Sequence, residues 1–189
     1  MTATKAQTRR VLLASASPRR KELLESAALV VEVRAPYADE SWPGGSLLAG
    51  VKEIARRKMA AVGSFAGVGI AADTVVVLGK NLLGKPADRQ DAARMLRALS
   101  GREHKVVTGF CVRRGRTERL GAATTRVTFR RLSQQEIARY VATDEPLDKA
   151  GAYAIQGLAG AFVDRVVGSY TNIIGLPLAE VLRAMEAVS

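Results

Sequence analysis

Asp73 stands inside Gly69-Ile70-Ala71-Ala72-Asp73-Thr74-Val75-Val76-Val77, a long apolar segment. A carboxylate in an apolar strand is costly to bury unless it is paired, protonated or bound to a metal. Asp73 is therefore a candidate general base or metal ligand. A strand-end Asp facing water is the alternative reading. A second group with chemistry is Ser15-Ala16-Ser17-Pro18-Arg19-Arg20. It follows an apolar run and precedes a helical pattern. Two guanidinium forks thus stand at a helix N-terminus, where unpaired N–H groups and the helix dipole favour an anion. Basic side chains in a first turn oppose that dipole, a cost that a bound anion offsets. An ordinary N-cap followed by surface arginines would leave the same trace.

Three further positions draw notice. Lys58 falls on the inner stripe of a helix whose other members are Val51, Ile54, Ala55 and Val62. A core prefers an apolar group there, so the breach is a hint of function. Lys85 lies in Gly84-Lys85-Pro86, where glycine lets the backbone approach a ligand and proline stiffens the loop. As a point charge it suits a phosphate, although many surface loops share this tripeptide. Asp148-Lys149-Ala150-Gly151-Ala152-Tyr153-Ala154-Ile155-Gln156-Gly157 combines a charged pair, small residues and an amide. Gln156 can bond both a donor and an acceptor of a pyrimidine. A structural loop is the plain alternative.

The elements that must hold these residues are legible in outline. Val11 to Ala14 reads as a buried strand, with Ser17 as N-cap and Pro18 at the first helical position. Leu29 to Val33 is the next strand, and a polar loop from Ala35 to Gly45 leads to a helix capped by Ser46. Gly69 to Leu78 is a strand, and Asp88 to Leu99 a helix closed by Gly101. Val106 to Val112 and Thr124 to Phe129 are strands joined by a hairpin-like Arg/Gly segment. Ser133 and Glu136 form a capping box. Phe162 to Val167 is a strand and Pro177 to Val188 a final helix. Strands alternating with helices around central hairpins argue a mixed α/β fold, a twisted sheet with flanking helices.

Composition limits the function classes. The chain has 189 residues, 48% hydrophobic and 25% charged, which fits one domain or two lobes around one cleft. Residues 1–10 read as a flexible basic tail, and residues 11–189 as a single domain. No apolar run reaches the roughly 18 residues of a membrane span, and no secretion signal opens the chain. One cysteine, Cys111, cannot form an internal disulfide, so a reducing cytoplasm is the simplest setting. The net charge of +11 suggests polyanionic partners, either nucleic acid or small phosphorylated ligands. Aromatics are only 5%, with no basic stretch interleaved with them, which argues against single-stranded nucleic acid. One histidine and one cysteine exclude a Cys/His zinc site. His104 reads as a strand-edge residue and Cys111 as packing.

Taken in order, Leu13-Ala14-Ser15-Ala16-Ser17-Pro18-Arg19-Arg20, Ala72-Asp73-Thr74-Val75, Gly84-Lys85-Pro86 and Asp148 to Gly157 resemble the Maf family. Gly168-Ser169-Tyr170-Thr171-Asn172-Ile173-Ile174-Gly175-Leu176-Pro177-Leu178 resembles it too, so the match spans about residues 10 to 188. The resemblance implies a fold like the inosine triphosphate pyrophosphatases, with two lobes around a deep cleft, in proteins that often dimerise. It implies hydrolysis of a nucleoside triphosphate to the monophosphate and pyrophosphate by metal-activated water, with Mg²⁺, Mn²⁺ or Co²⁺. The family's catalytic aspartate falls on Asp73, also a metal ligand together with Glu40. Its phosphate ligands fall on Ser15, Arg20, Lys58 and Lys85. Arg19, Thr74 and Gln156 match the branch that prefers dTTP and UTP. A sister branch acting on 7-methyl-GTP has an aromatic, Gln and Glu there. Expected roles are clearance of pyrimidine nucleotides, modified ones included, or cell division arrest. The alternative is a basic RNA-binding or division-regulating module without turnover.

Overall fold

The computed structural model describes residues 9–188. Strand β1 (Arg10–Ala14) is buried from Val11 onward, as an unbroken apolar run in a parallel setting requires. Pro18 opens helix α1 (Pro18–Ser26), and β2 (Val30–Val33) runs parallel to β1. Residues 34–46 have no regular structure. Ser46 caps helix α2 (Leu47–Ala61), its hydroxyl accepting from the Ala49 N–H at 3.3 Å. Strand β3 (Val68–Leu78) lies parallel on the other side of β1. Strand β4 (Asn81–Leu83) folds back onto the end of β3, and helix α3 (Arg89–Leu99) follows. Strands β5 (Glu103–Arg114) and β6 (Thr117–Phe129) form a long hairpin. Helix α4 (Gln134–Val141) begins at the Ser133–Glu136 capping box, with both reciprocal bonds present. Short 3-10 turns at Glu145–Asp148, Ala150–Ala152 and Leu158–Phe162 lead to strand β7 (Val163–Val167). Helices α5 (Tyr170–Ile174) and α6 (Leu178–Glu186) complete the order.

The strands form one seven-stranded mixed sheet in the order β2-β1-β3-β5-β6-β7, with β4 on β3. This is the mixed α/β architecture expected. Of the basic tail, residues 1–8 lie outside the described residues. Arg10 is the first residue of β1, paired with Val30.

Side chains alternate between the two faces of a strand. In β3 and β5 the even-numbered residues face away from α2. There the apolar core divides. One cluster, with Val76, Val106 and Val127, packs around α3 and α4. The other, with Ile70, Ala72, Phe110 and Val112, packs around α1 and α6. Between them lie Thr74 and Thr108, register partners whose hydroxyls are 2.9 Å apart. The two apolar clusters on this face therefore meet at a polar seam, because two threonines interrupt otherwise apolar alternation.

Two expectations need correction. The central hairpin is longer than the apolar runs suggested, since Gly115 and Arg116 alone separate the two strands. Strand pairing carried it across the polar residues at its tip. His104 is not a strand-edge residue. It lies in an inner strand, 2% exposed, with Nε2 at 2.8 Å from the Tyr153 hydroxyl and edge-on contacts to Phe129 and Tyr153. Burial pushes its pKa down to about 4 from 6.5. Between those values only the unfolded chain binds the proton. Stability is then full above about pH 6.5 and falls by about 1.4 kcal/mol per unit as pH drops toward 4. Urea midpoints measured across this window should fall for the native chain and fall less for His104→Gln. Equal slopes would show that His104 does not titrate there.

Candidate active site

Asp73 and Thr74 are neighbours in the middle of β3, so they point to opposite faces of the sheet. Asp73 faces α2. Its register partner in β5 is Gly109, and a Cβ there would lie 2.3 Å from the Val51 carbonyl carbon. Glycine thus lets the backbone of α2 rest directly on the sheet. Seven residues on, Lys58 stands over Asp73 with Nζ at 2.7 Å from Oδ1. The two side chains are 8% and 14% exposed. The strand-end reading of Asp73 is therefore wrong, and the apolar breach at Lys58 is explained by the carboxylate it meets.

Glu40 completes this group from the loop before α2, with Oε2 at 2.9 Å from Lys58 Nζ. Its neighbour Asp39 turns elsewhere. Both Asp39 oxygens bind Ser41, at 2.9 Å each, and one also meets Arg57. Glu40 is thus the loop carboxylate that reaches the cleft.

On the opposite face, Arg20 is 8% exposed and ties three segments together. Its Nε donates to Gly175 O at 2.8 Å, Nη1 to Ser15 Oγ at 3.0 Å, and Nη2 to Thr74 Oγ1 at 3.1 Å. Burial lowers its pKa, and nearby Asp73 opposes that shift. A guanidinium has five N–H donors, so two remain for a ligand. Ser15 Oγ also accepts from the Ser17 N–H at 3.2 Å. Ser17 occupies the N-cap position, yet its hydroxyl makes no capping bond, and the first turn holds no acidic residue. The α1 terminus therefore keeps its unpaired N–H groups and positive end beside Arg20.

These residues line one cleft of about 560 Å³, which Ser15, Arg19, Arg20, Glu40, Lys58, Asp73, Thr74, Lys85 and Gln156 all border. Every position singled out from the sequence is brought together there. Lys85 is held by its loop, since Gly84 O accepts from the Gly151 N–H at 3.0 Å. Arg19 Nη1 faces Asp148 Oδ2 at 3.5 Å, and Lys149 pairs with the same carboxylate. Asp148, Tyr153 and Trp42 also border the cleft and are not among the candidate site residues. Asp148 lay within a recognised stretch, but its pairing with Arg19 spans 129 positions. Tyr153 sits in the same stretch. Trp42 lines the cleft two residues after Glu40, and a lone tryptophan in a polar loop was the available signal. His104 and Cys111 do not line it. Burial pushes the Cys111 thiol pKa upward, consistent with packing.

Among the described residues, no three His, Cys, Asp or Glu side chains form a group able to hold a metal. Asp73 and Glu40 offer two carboxylates around one ammonium. A magnesium-like ion commonly takes one or two carboxylates and fills its shell with phosphate oxygens and water. The donor set fits an ion that arrives with a polyphosphate, and does not make a closed cage. No helix among the described residues is long and apolar enough to cross a membrane.

Residues 10–188 match a family described as Maf-like protein. A dTTP/UTP pyrophosphatase of Anaeromyxobacter dehalogenans (strain 2CP-C) is 53% identical over 176 residues, which is 90% of each chain. One from Pelotomaculum thermopropionicum is 49% identical over 174 residues, covering 89% of this chain and 91% of the relative. One from Geobacter sulfurreducens is 45% identical over 188 residues, covering 95% and 96%. Among solved structures, the Staphylococcus aureus Ham1 protein is 14% identical with a TM-score of 0.42, over 64% of this chain and 72% of that one.

Proposed function

Because the chain belongs to the Maf family, we propose that it hydrolyses nucleoside triphosphates, dTTP and UTP foremost, to the monophosphate and pyrophosphate. The observation that carries this reading is the Asp73–Lys58–Glu40 group sharing a cleft with Arg20, Lys85 and an uncapped helix end. Phosphoryl chemistry asks chiefly for positioning and neutralisation of charge. Arg20, Lys58, Lys85, Ser15 and the α1 terminus supply both for a triphosphate. Asp73, with Lys58 Nζ at 2.7 Å, orients a water and takes its proton. The water oxygen bonds to a phosphorus of the α–β anhydride, the bridging P–O bond breaks, and pyrophosphate separates from the monophosphate. Asp73 and Glu40 would hold a divalent ion such as Mg²⁺, Mn²⁺ or Co²⁺, which when bound neutralises phosphate charge and acidifies water.

The nucleotide end falls to Arg19, Thr74 and Gln156. Gln156 presents an amide with both donor and acceptor, which suits a pyrimidine edge. Thr74 accepts from Arg20, so it also fixes the cation that meets the phosphates. Clearance of unwanted pyrimidine triphosphates in the cytoplasm is the role that follows.

The test is purified protein with each metal ion and a panel of triphosphates, with pyrophosphate release as the readout. Turnover should favour dTTP and UTP. Tight, salt-dependent RNA binding with no release would favour the basic binding module instead. In the same assay Gln156→Glu, which replaces an amide donor with a charge, should shrink the preference for UTP over GTP about tenfold. Unchanged selectivity would remove Gln156 as the base reader.

A further inference from the structure

The loop that brings Glu40 to the cleft is fixed on one stripe of α2. Gly50 and Lys58 are eight residues apart, two turns of helix, and Arg57 stands beside Lys58. Arg57 Nη1 donates to Ser41 O at 3.2 Å. Lys58 takes Glu40 itself. At Gly50 a Cβ would lie 2.4 Å from two ring carbons of Trp42, so the indole lies flat on a position with no side chain. Trp42 is partly buried against Val51, Val77 and Val107, and its ring also borders the cleft. Glycine inside a helix is unfavourable relative to alanine. A helix that keeps one here does so at a position where any side chain would displace the loop.

We infer that Trp42, seated on Gly50, is the positioning residue that holds Glu40 over the Asp73–Lys58 pair. The inference rests on the role given to Glu40 above. Glu40 is more than half exposed, and among the described residues its carboxylate has one ion-pair partner, Lys58. Its own contacts are therefore too few to fix it. The Asp39–Ser41 turn and the Trp42 seat bracket it on both sides, so its place is set by its neighbours in sequence. Misplacing a group by about 1 Å can cost up to about 100-fold in rate.

Gly50→Ala tests this directly. Trp42 is the only tryptophan, so its emission reports the seat without nucleotide or metal. The variant should show red-shifted emission, as the ring moves into water. The metal concentration for half-maximal pyrophosphate release should rise about tenfold. Introduced into Glu40→Gln, the same change should add no further loss, because it acts only through Glu40. Trp42→Phe, which leaves a smaller ring on Gly50 without a clash, should have a metal requirement between those of the native chain and Gly50→Ala. Unchanged emission or an unchanged metal requirement in Gly50→Ala overturns the inference, as do losses that multiply in the Glu40→Gln background. If the native chain releases no pyrophosphate from any triphosphate, the reading of the site fails first. A displaced Trp42 with native metal dependence sinks this inference alone.

Discussion

Replacing Asp73 by Asn should lower turnover about 100-fold or more while nucleotide still binds. The substitution conserves volume in a strand packed on both faces, so the sheet should tolerate it. It removes the charge proposed to accept a proton from water. Lys58 keeps Glu40 as a partner at 2.9 Å, so the ammonium is not left bare. Arg20 and Lys85 stay where they are, and the triphosphate is still held. Pyrophosphate release under saturating UTP measures the first effect, and calorimetric titration with the nucleotide measures the second. Near-normal turnover would sink the assignment of Asp73. Loss of binding equal to the loss of turnover would make Asp73 a substrate ligand instead of a base.

The second large effect is expected from Lys58→Met. Methionine has nearly the reach of lysine and suits the stripe of Val51 and Ile54, so the helix should persist. What disappears is the cation between two carboxylates. Removing one partner of a buried ion pair costs roughly 3–5 kcal/mol when the survivor cannot reach water. Asp73, at 14% exposure, approaches that limit, whereas Glu40 can turn outward. Without the ammonium, Asp73 loses the donor that fixes its carboxylate at 2.7 Å, and the cleft loses one of its cations. Turnover at neutral pH should therefore fall about 100-fold. Turnover within a few-fold of the native chain would show that the Lys58 ammonium is not needed for the reaction.

Much of this site was legible because it violates local rules. A carboxylate in an apolar strand, a lysine on a core stripe and arginines at the positive end of a helix are each unfavourable in isolation. Each marks a partner that the sequence does not show. The sequence could not show which partner. Lys58 and Asp73 meet because Gly109 lets α2 rest on the sheet, a contact between residues far apart in the chain. Arg19 meets Asp148 for the same kind of reason, with 129 positions between them. Element types came from periodicity and caps, and the Ser133–Glu136 box was legible to the residue. Strand lengths were not, since pairing in β5 and β6 outran the apolar signal. His104 was misplaced because a single polar residue in a strand says nothing about whether an aromatic wall will close over it.

Arg20 bears on the order in which this chain becomes an enzyme. Its three bonds reach 5, 54 and 155 positions along the sequence, the last to Gly175. Ribosomes deliver the N-terminal part first, and that part can begin to fold while synthesis continues. The strand that holds Asp73 and the helix that holds Lys58 are both made early. The guanidinium proposed to meet the phosphates gains its backbone anchor at Gly175 only when nearly the whole chain has emerged. A nascent or C-terminally clipped chain would then own its acidic chemistry without its third clasp on the cation, and would be a poor hydrolase of the nucleotides around it until synthesis is almost done.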